Sequence, residues 1–187
     1  MILPITLYGN PILRKQVEEV GTGSTRQELK QLVEDMFDTM YNANGVGLAA
    51  PQVNKSLALF VIDTEPFLDE GDTEKAVKKA FVNPEITGTS EKKSSYSEGC
   101  LSVPGINEEV LRPEGVRISY QDVEGNSFEE EYHGKAARVI QHEYDHLYGK
   151  MFVDRLSPLK KTLLKSKLNE IVNGKKVPSY RIKPNKK

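Results

Sequence analysis

Hydrophobic residues recur along the chain with two different periods. From about Thr25 to Tyr41 the apolar positions Leu29, Leu32, Val33, Met36, Phe37 and Met40 fall three or four apart, which marks one buried face of a helix. Thr25 and Glu28 match a capping box at its start, and Gly45 lies just past its end. Leu57 to Asp63 is short, apolar and bounded by polar residues, as a buried strand is, and Ala80 to Thr87 predicts a second strand. Val116 to Gln121 and Ser127 to Tyr132 alternate in polarity around Glu124-Gly125-Asn126, which predicts a hairpin with one wet face. A helix is expected from about Lys135 to Leu147, ended by Gly149. A last one opens with Ser157 as N-cap and Pro158 at the first helical position, carries Leu164, Leu168, Ile171 and Val172 as its stripe, and closes at Asn173-Gly174.

Two segments break the periodicity. Tyr8 to Arg14 reads as a loop entering a short extended piece, with Pro11 restricting the backbone, and the charged stretch Thr64 to Lys79 reads as a surface loop with a helical turn. Strands thus precede the second helix in blocks, without βαβ alternation. The predicted class is α+β, with mainly antiparallel sheets packed around a central helix and a C-terminal helix outside them.

Composition narrows the range of functions. A chain of 187 residues can bury one real core, and 37% hydrophobic with 28% charged residues describes a folded globular protein. We assign residues 1–174 to one catalytic domain and 175–187 to a basic, flexible C-terminal tail. A formal net charge of −1 gives no global attraction to nucleic acid or anionic lipid, but Lys175, Lys176, Arg181, Lys183, Lys186 and Lys187 follow Asn173 with no acid among them. Such a tail is either a solvated, frayed end or an electrostatic dock for a polyanion. No apolar run approaches the roughly 20 residues of a membrane span, and Met1-Ile2-Leu3-Pro4-Ile5 lacks a basic region and cleavage site, so a cytoplasmic protein is expected. The single cysteine, Cys100, cannot form an internal disulfide and is free for chemistry.

Chemistry is concentrated in the predicted second helix, in His142-Glu143-Tyr144-Asp145-His146. Residues four apart project from one helix face a turn apart, so both imidazoles can grip one ion while Glu143 sits beside them. A bound divalent ion lowers the pKa of water toward about 7, and a neighbouring glutamate can take the proton. Catalytic ions of this kind take three protein ligands and leave one position open. No histidine follows His146; Asp154 is possible, Glu170 belongs to another helix, and Cys100 is the remaining candidate. The third histidine, His133, is read as a polar residue at a strand end. Cys100 lies in Glu98-Gly99-Cys100-Leu101-Ser102, ahead of Pro104 and Gly105 in a segment that looks exposed. A second glycine-bearing loop, Gly45-Val46-Gly47-Leu48-Ala49-Ala50-Pro51-Gln52, ends in a side-chain amide.

These three segments, 45–52, 98–102 and 141–146, resemble the three signature motifs of the peptide deformylase family, in the family's order, and the similarity runs from Ile2-Leu3-Pro4-Ile5 to the final helix. The resemblance implies Cys100, His142 and His146 as metal ligands and Glu143 as catalytic acid/base, with Gln52 and the backbone N–H of Leu101 stabilising the oxyanion. It further implies that Val46, Gly47 and Gly99 contact the extended substrate and that Arg112 lies near the downstream peptide, a residue that would otherwise be read as solvent-exposed. Val139 and Tyr96 are candidates for an apolar methionine pocket, with Arg138 and Lys135 as polar neighbours on the same helix.

The implied reaction removes the formyl group from N-formylmethionyl nascent peptides, with Glu143 accepting a proton from the attacking water and returning it to the leaving amine. The ion implied is Fe²⁺ in cells, with Zn²⁺, Ni²⁺ or Co²⁺ compatible with the ligands. The resemblance also implies that Pro158 to Lys187 approach the ribosome. Two other readings of the residues stand beside it: a metallopeptidase that cuts internal peptide bonds, which needs a third ligand after His146, and a non-catalytic metal-binding module, which would not need Glu143, Gln52 and a thiol to converge.

Overall fold

The computed structural model describes residues 1–21, 25–72 and 74–185. Strand β1 (Ile5–Thr6) leads to helix α1 (Arg26–Asn42), then β2 (Gly47–Ala49), β3 (Leu59–Asp63), β4 (Lys78–Thr89), β5 (Lys93–Cys100), β6 (Val103–Pro113), β7 (Gly115–Gln121) and β8 (Ser127–His133). Helices α2 (Gly134–Leu147) and α3 (Pro158–Val172) follow, and a short strand β9 (Ile182–Lys183) comes last. The α+β class is as expected. Helix α1 starts where its capping box predicts: Thr25 accepts from the Glu28 amide, and Glu28 accepts from the Thr25 amide at 2.8 Å.

The main sheet runs β2-β3-β4-β7-β8, antiparallel throughout. Side chains alternate across a strand, so β3 serves two cores. Phe60 and Ile62 point to α2, packing with Phe81, Val116, Ile118, Ala137 and Ile140. Leu59 and Val61 point the other way, to Met36 and Met40 of α1. Burial on both faces explains why this strand reads as an unbroken apolar run. The helix that carries the two histidines is thereby fixed against the sheet.

Strands β5 and β6 form a separate antiparallel pair, from Lys93 opposite Pro113 to Cys100 opposite Val103. The polarity pattern did not predict them, for a physical reason: their buried positions include Glu98 and Arg112, which interrupt the apolar alternation, while Leu111 is exposed. The segment after Cys100 is also not the exposed one expected, since Ser102, Val103 and Pro104 are buried. A third core joins this pair to α3 through Val103, Ile106, Val110, Phe152, Leu164 and Ile171.

Two more expectations are corrected. Residues Pro11–Arg14 form a 3-10 turn rather than an extended piece, because Pro11 stands at its first position and Asn10 caps the Ile12 amide at 3.2 Å. The C-terminal segment, as far as Asn185, is built into the body rather than left free. Its strand β9 pairs in parallel with β1, the Ile5 amide donates to Arg181 O at 2.9 Å, and Asn185 Nδ2 donates to Tyr8 O at 2.9 Å. Lys186 and Lys187 lie outside the described residues. Among the described residues no helix is long and apolar enough to cross a membrane.

Candidate active site

Helix α2 brings its two histidines against the end of β5. Their ring centroids lie 5.2 Å apart, and Cys100 Sγ is 3.3 Å from His146 Nε2. One donor atom from each of Cys100, His142 and His146 falls within 4.8 Å of the other two. A thiolate and two imidazoles at that spacing match the donor set and reach that a divalent transition-metal ion requires. Burial, with His142 alongside, pushes the His146 imidazole down to about 3, which keeps it in the neutral form that ligates a metal. Its Nδ1 is buried with no hydrogen-bond partner among the described residues.

His142 is oriented from behind. Its Nδ1 lies 3.0 Å from Glu98 Oε2, an arrangement that turns Nε2 toward the cysteine. Glu98 is itself clamped, accepting from Arg112 Nε at 2.6 Å, Arg112 Nη2 at 2.8 Å and Arg138 Nη1 at 3.0 Å. Arg112 reaches on to Asp145 Oδ2 at 2.7 Å, and Asp145 accepts twice from Arg155, both at 2.6 Å. Burial alone would raise the Glu98 carboxyl, but Arg112 and His142 outweigh it and hold Glu98 far below the usual carboxylate range. Arg112 is therefore neither a substrate contact nor an exposed side chain. It is 0% exposed and braces the carboxylate that positions His142, because a fork of five donors matches two carboxylates at once.

Glu143 faces the open side. Burial pushes its carboxyl up to about 7, and Oε2 has no hydrogen-bond partner among the described residues. Its carboxylate lies over Gly47, where any Cβ would overlap it, so the glycine in that loop is required by close approach. Gln52 is buried, with Oε1 accepting from the Ala49 amide at 2.8 Å and Nε2 donating to Ser102 Oγ at 3.1 Å, beside Cys100 Sγ at 3.5 Å. Leu101 follows the cysteine directly, and its carbonyl accepts from the Tyr180 hydroxyl at 2.6 Å.

Gly47, Gln52, Cys100, Leu101, His142 and Glu143 line one cleft of about 530 Å³ together with Val46, Tyr96, Gly99 and Val139. Val139 is 5% exposed, and Tyr96 meets Phe67 edge-on at 5.4 Å between ring centroids. Arg138 lines the cleft too, but its guanidinium is turned to Glu98, Val110 O and Ser94 O. Lys135 does not line it. Its ammonium binds Phe67 O at 2.8 Å, Asp69 at 2.7 Å and Asp72 at 2.9 Å, and so fixes the loop that delivers Phe67. His133 ends β8, exposed, as expected of a strand-end polar residue.

Comparison with known proteins matches residues 2–162 to the family model described as polypeptide deformylase. The chain belongs to the polypeptide deformylase family. A relative from Cytophaga hutchinsonii named peptide deformylase is 50% identical over 183 residues, which cover 98% of this chain and 97% of that one. Solved peptide deformylase structures agree in fold. That from Plasmodium falciparum superposes with a TM-score of 0.81 at 39% identity over 91% of this chain and 95% of its own. That from Legionella pneumophila gives 0.79 at 42% identity, over 94% of this chain and 98% of its own. The protein is thus an enzyme, a metal-dependent hydrolase of the formyl amide at the N-terminus of new peptides.

Four participants in this deformylase site escaped sequence reasoning. Glu98 was visible only as a letter within its motif; no pattern tells a buried clamp from a surface acid. Asp145 and Arg155 are likewise buried or half-buried charges without periodic signal. Phe67, the one aromatic residue in the charged stretch 64–79, was the readable exception.

Proposed function

We propose that Cys100, His142 and His146 hold one divalent ion and that Glu143 is the proton carrier in hydrolysis of the formyl group from N-formylmethionyl nascent peptides. The observation that carries the assignment is Glu143 itself: a carboxyl pushed up to about 7, lying against Gly47 on the cleft floor with one oxygen unpartnered. A group poised near neutrality can both accept and return a proton. When bound, the ion polarises a carbonyl and acidifies water.

The chain's own residues do the remaining work. The extended peptide lies along Val46, Gly47 and Gly99, with the methionine side chain against Val139, Tyr96 and Phe67. The Gln52 amide and the Leu101 N–H are donors for the formyl oxygen as charge develops on it, and Gln52 is held ready by the Ala49 amide and Ser102. Glu143 takes the proton of the attacking water and delivers it to the nitrogen of the departing amine, so formate and a free N-terminal methionine leave. Formate release from a formyl-Met tripeptide, beside cleavage of an unformylated one, tests this; peptide-bond cleavage without formate would overturn it.

Fe²⁺ is the proposed cellular ion, since a thiolate with two imidazoles accepts it as it accepts Zn²⁺, Co²⁺ or Ni²⁺. Metal analysis of protein purified without oxygen checks that choice. The proposed place of action is the cytoplasm, beside the ribosome. Helix α3 offers exposed Lys161, Lys165 and Lys167 for ribosomal phosphates, continuous with the basic segment that follows. Co-sedimentation with ribosomes should fall as salt rises and fall further when these lysines become glutamates. Residues 1–174 and the segment after them are proposed to act as one catalytic unit.

A further inference from the structure

Past Gly174 the chain turns back over the cleft. Lys176, Val177, Pro178, Ser179 and Tyr180 line the same cavity as His142 and Glu143. The segment is anchored at both ends: the Lys175 amide donates to Glu170 O at 2.8 Å, and the Tyr180 hydroxyl donates to Leu101 O at 2.6 Å. Beyond Tyr180 the β1–β9 pairing ties it down again. It is a wall of the site.

The charges facing the cavity are unevenly matched. Glu98 and Arg138 neutralise each other deep inside, and Glu143 sits on the floor with the metal ligands. Lys176 is paired with no carboxylate among the described residues. Its side chain lies across Gly105, where a Cβ would come within 2.5 Å of Nζ and 2.6 Å of Cε. Lys176 is half-buried, beside Gly105 of β6, and lines the cleft. The apolar lining includes Val46, Val139 and the Phe67–Tyr96 pair. A peptide whose methionine meets that lining and whose backbone passes Gly99 and Leu101 continues toward Pro104, Gly105 and the returning segment.

We infer that residues Lys176 to Tyr180 form the wall of the cleft that meets the residues following formylmethionine, and that Lys176 selects a side-chain carboxylate there. The inference rests on the deformylase reading of the site and adds a specificity determinant outside the three motifs.

The test uses C-terminally amidated formyl-Met-Xaa-Ala and formyl-Met-Ala-Xaa peptides with Xaa as Glu, Gln or Lys, so that a chain-terminal carboxylate cannot stand in for the side chain. Formate release is followed for the wild type and for K176Q, K176E and K176R, with kcat and KM separated. The expected result is a preference for Glu over Gln of about threefold to tenfold in one of the two series, the size of a partly solvated ion pair, carried by KM and reduced by salt. K176R keeps it, K176Q abolishes it, and K176E turns it toward Lys. Formate released equally from all peptides, a preference unmoved in K176Q, or a preference seen only when the C-terminus is a free acid overturns the inference and leaves the chemistry standing. No formate from any peptide overturns the reading beneath it.

Discussion

Helices α2 and α3 are nearly equal in length, 14 and 15 residues, yet eleven positions of α2 are buried and only Leu164 and Ile171 of α3 are. The buried set of α2 includes Arg138, Gln141, His142, Glu143, Asp145 and His146, so its interior contacts are as polar as they are apolar. A buried polar group is costly without a partner, and most of these residues are tied into one chain: His142 to Glu98, Glu98 to Arg112 and Arg138, Arg112 to Asp145. Helix α3 has no such chain. Substitutions in α2 should therefore strike chemistry and stability together, and substitutions in α3 stability alone.

The largest effect expected is at Glu143, whose Oε2 is buried without a partner among the described residues. Glu143→Gln keeps shape and removes the proton carrier, so kcat should fall by about two to four orders of magnitude while metal content, measured by plasma emission, stays the same. Activity near the wild-type level would remove Glu143 from its role.

Glu98→Gln tests the dependence itself. His142 loses the anion behind its Nδ1, and Arg112, fully buried, keeps Asp145 as its one carboxylate partner. Metal affinity should drop about 10- to 100-fold. Stability to urea should fall by about 3–5 kcal/mol, the cost of an uncompensated buried charge. A metal titration and an unfolding curve on the same variant separate the two losses. Leu164→Ala is the counterpart in α3: loss of about 2–4 kcal/mol from the cavity left beneath the helix, with kcat unchanged. If kcat fell with it, α3 would be coupled to the site.

The same contrast decides what could be read in the sequence. Helix α1, both partners of the β7–β8 hairpin and the two later helices were legible because each has an apolar face with matching end signals, Thr25 with Glu28, Gly125, Ser157 with Pro158. The β5–β6 pair was not, because its inward positions Glu98 and Arg112 are charges that join into one network only after folding. The histidine pair was legible from its spacing, while Cys100 was one candidate beside Asp154 until the resemblance of 98–102 to a family motif singled it out. Arg112 was misjudged, as an arginine in a polar stretch reads the same whether it faces water or two buried carboxylates. The course of residues 175–185 was not legible either. A run of lysines says nothing of a two-residue strand or of a tyrosine hydroxyl that meets a distant carbonyl.

A smaller effect concerns acid. Burial would raise the Glu130 carboxyl, but Lys79, Tyr132 and Tyr120 outweigh that and hold it down at about 2. A depressed carboxyl contributes stability that is present above its ordinary value near 4.5 and is lost as pH falls from there toward 2. The side chain is about a third exposed, at 35%, so the contribution after screening is about 1 kcal/mol or less. Urea unfolding between pH 3 and 6 should show a shallower slope in Glu130→Gln. The slope that remains is shared by the other carboxylates held below the ordinary range, the buried Glu98, Asp145 and Asp35 and the exposed Glu28 and Glu131 among them. An unchanged slope would mean that Glu130 carries none of the acid sensitivity.

The smallest effect belongs to the outer face of α3. Leu159 and Leu163 are each 70% exposed, on the side of the helix away from Leu164 and Ile171. An isolated monomer gains little from them, since burial is what makes a leucine stabilising. Leu163→Ser should leave the urea midpoint within about 0.5 kcal/mol of wild type and formate release unchanged. A loss well beyond that would show that this face is covered in solution, and α3 would then join α2 as a helix buried on more than one side.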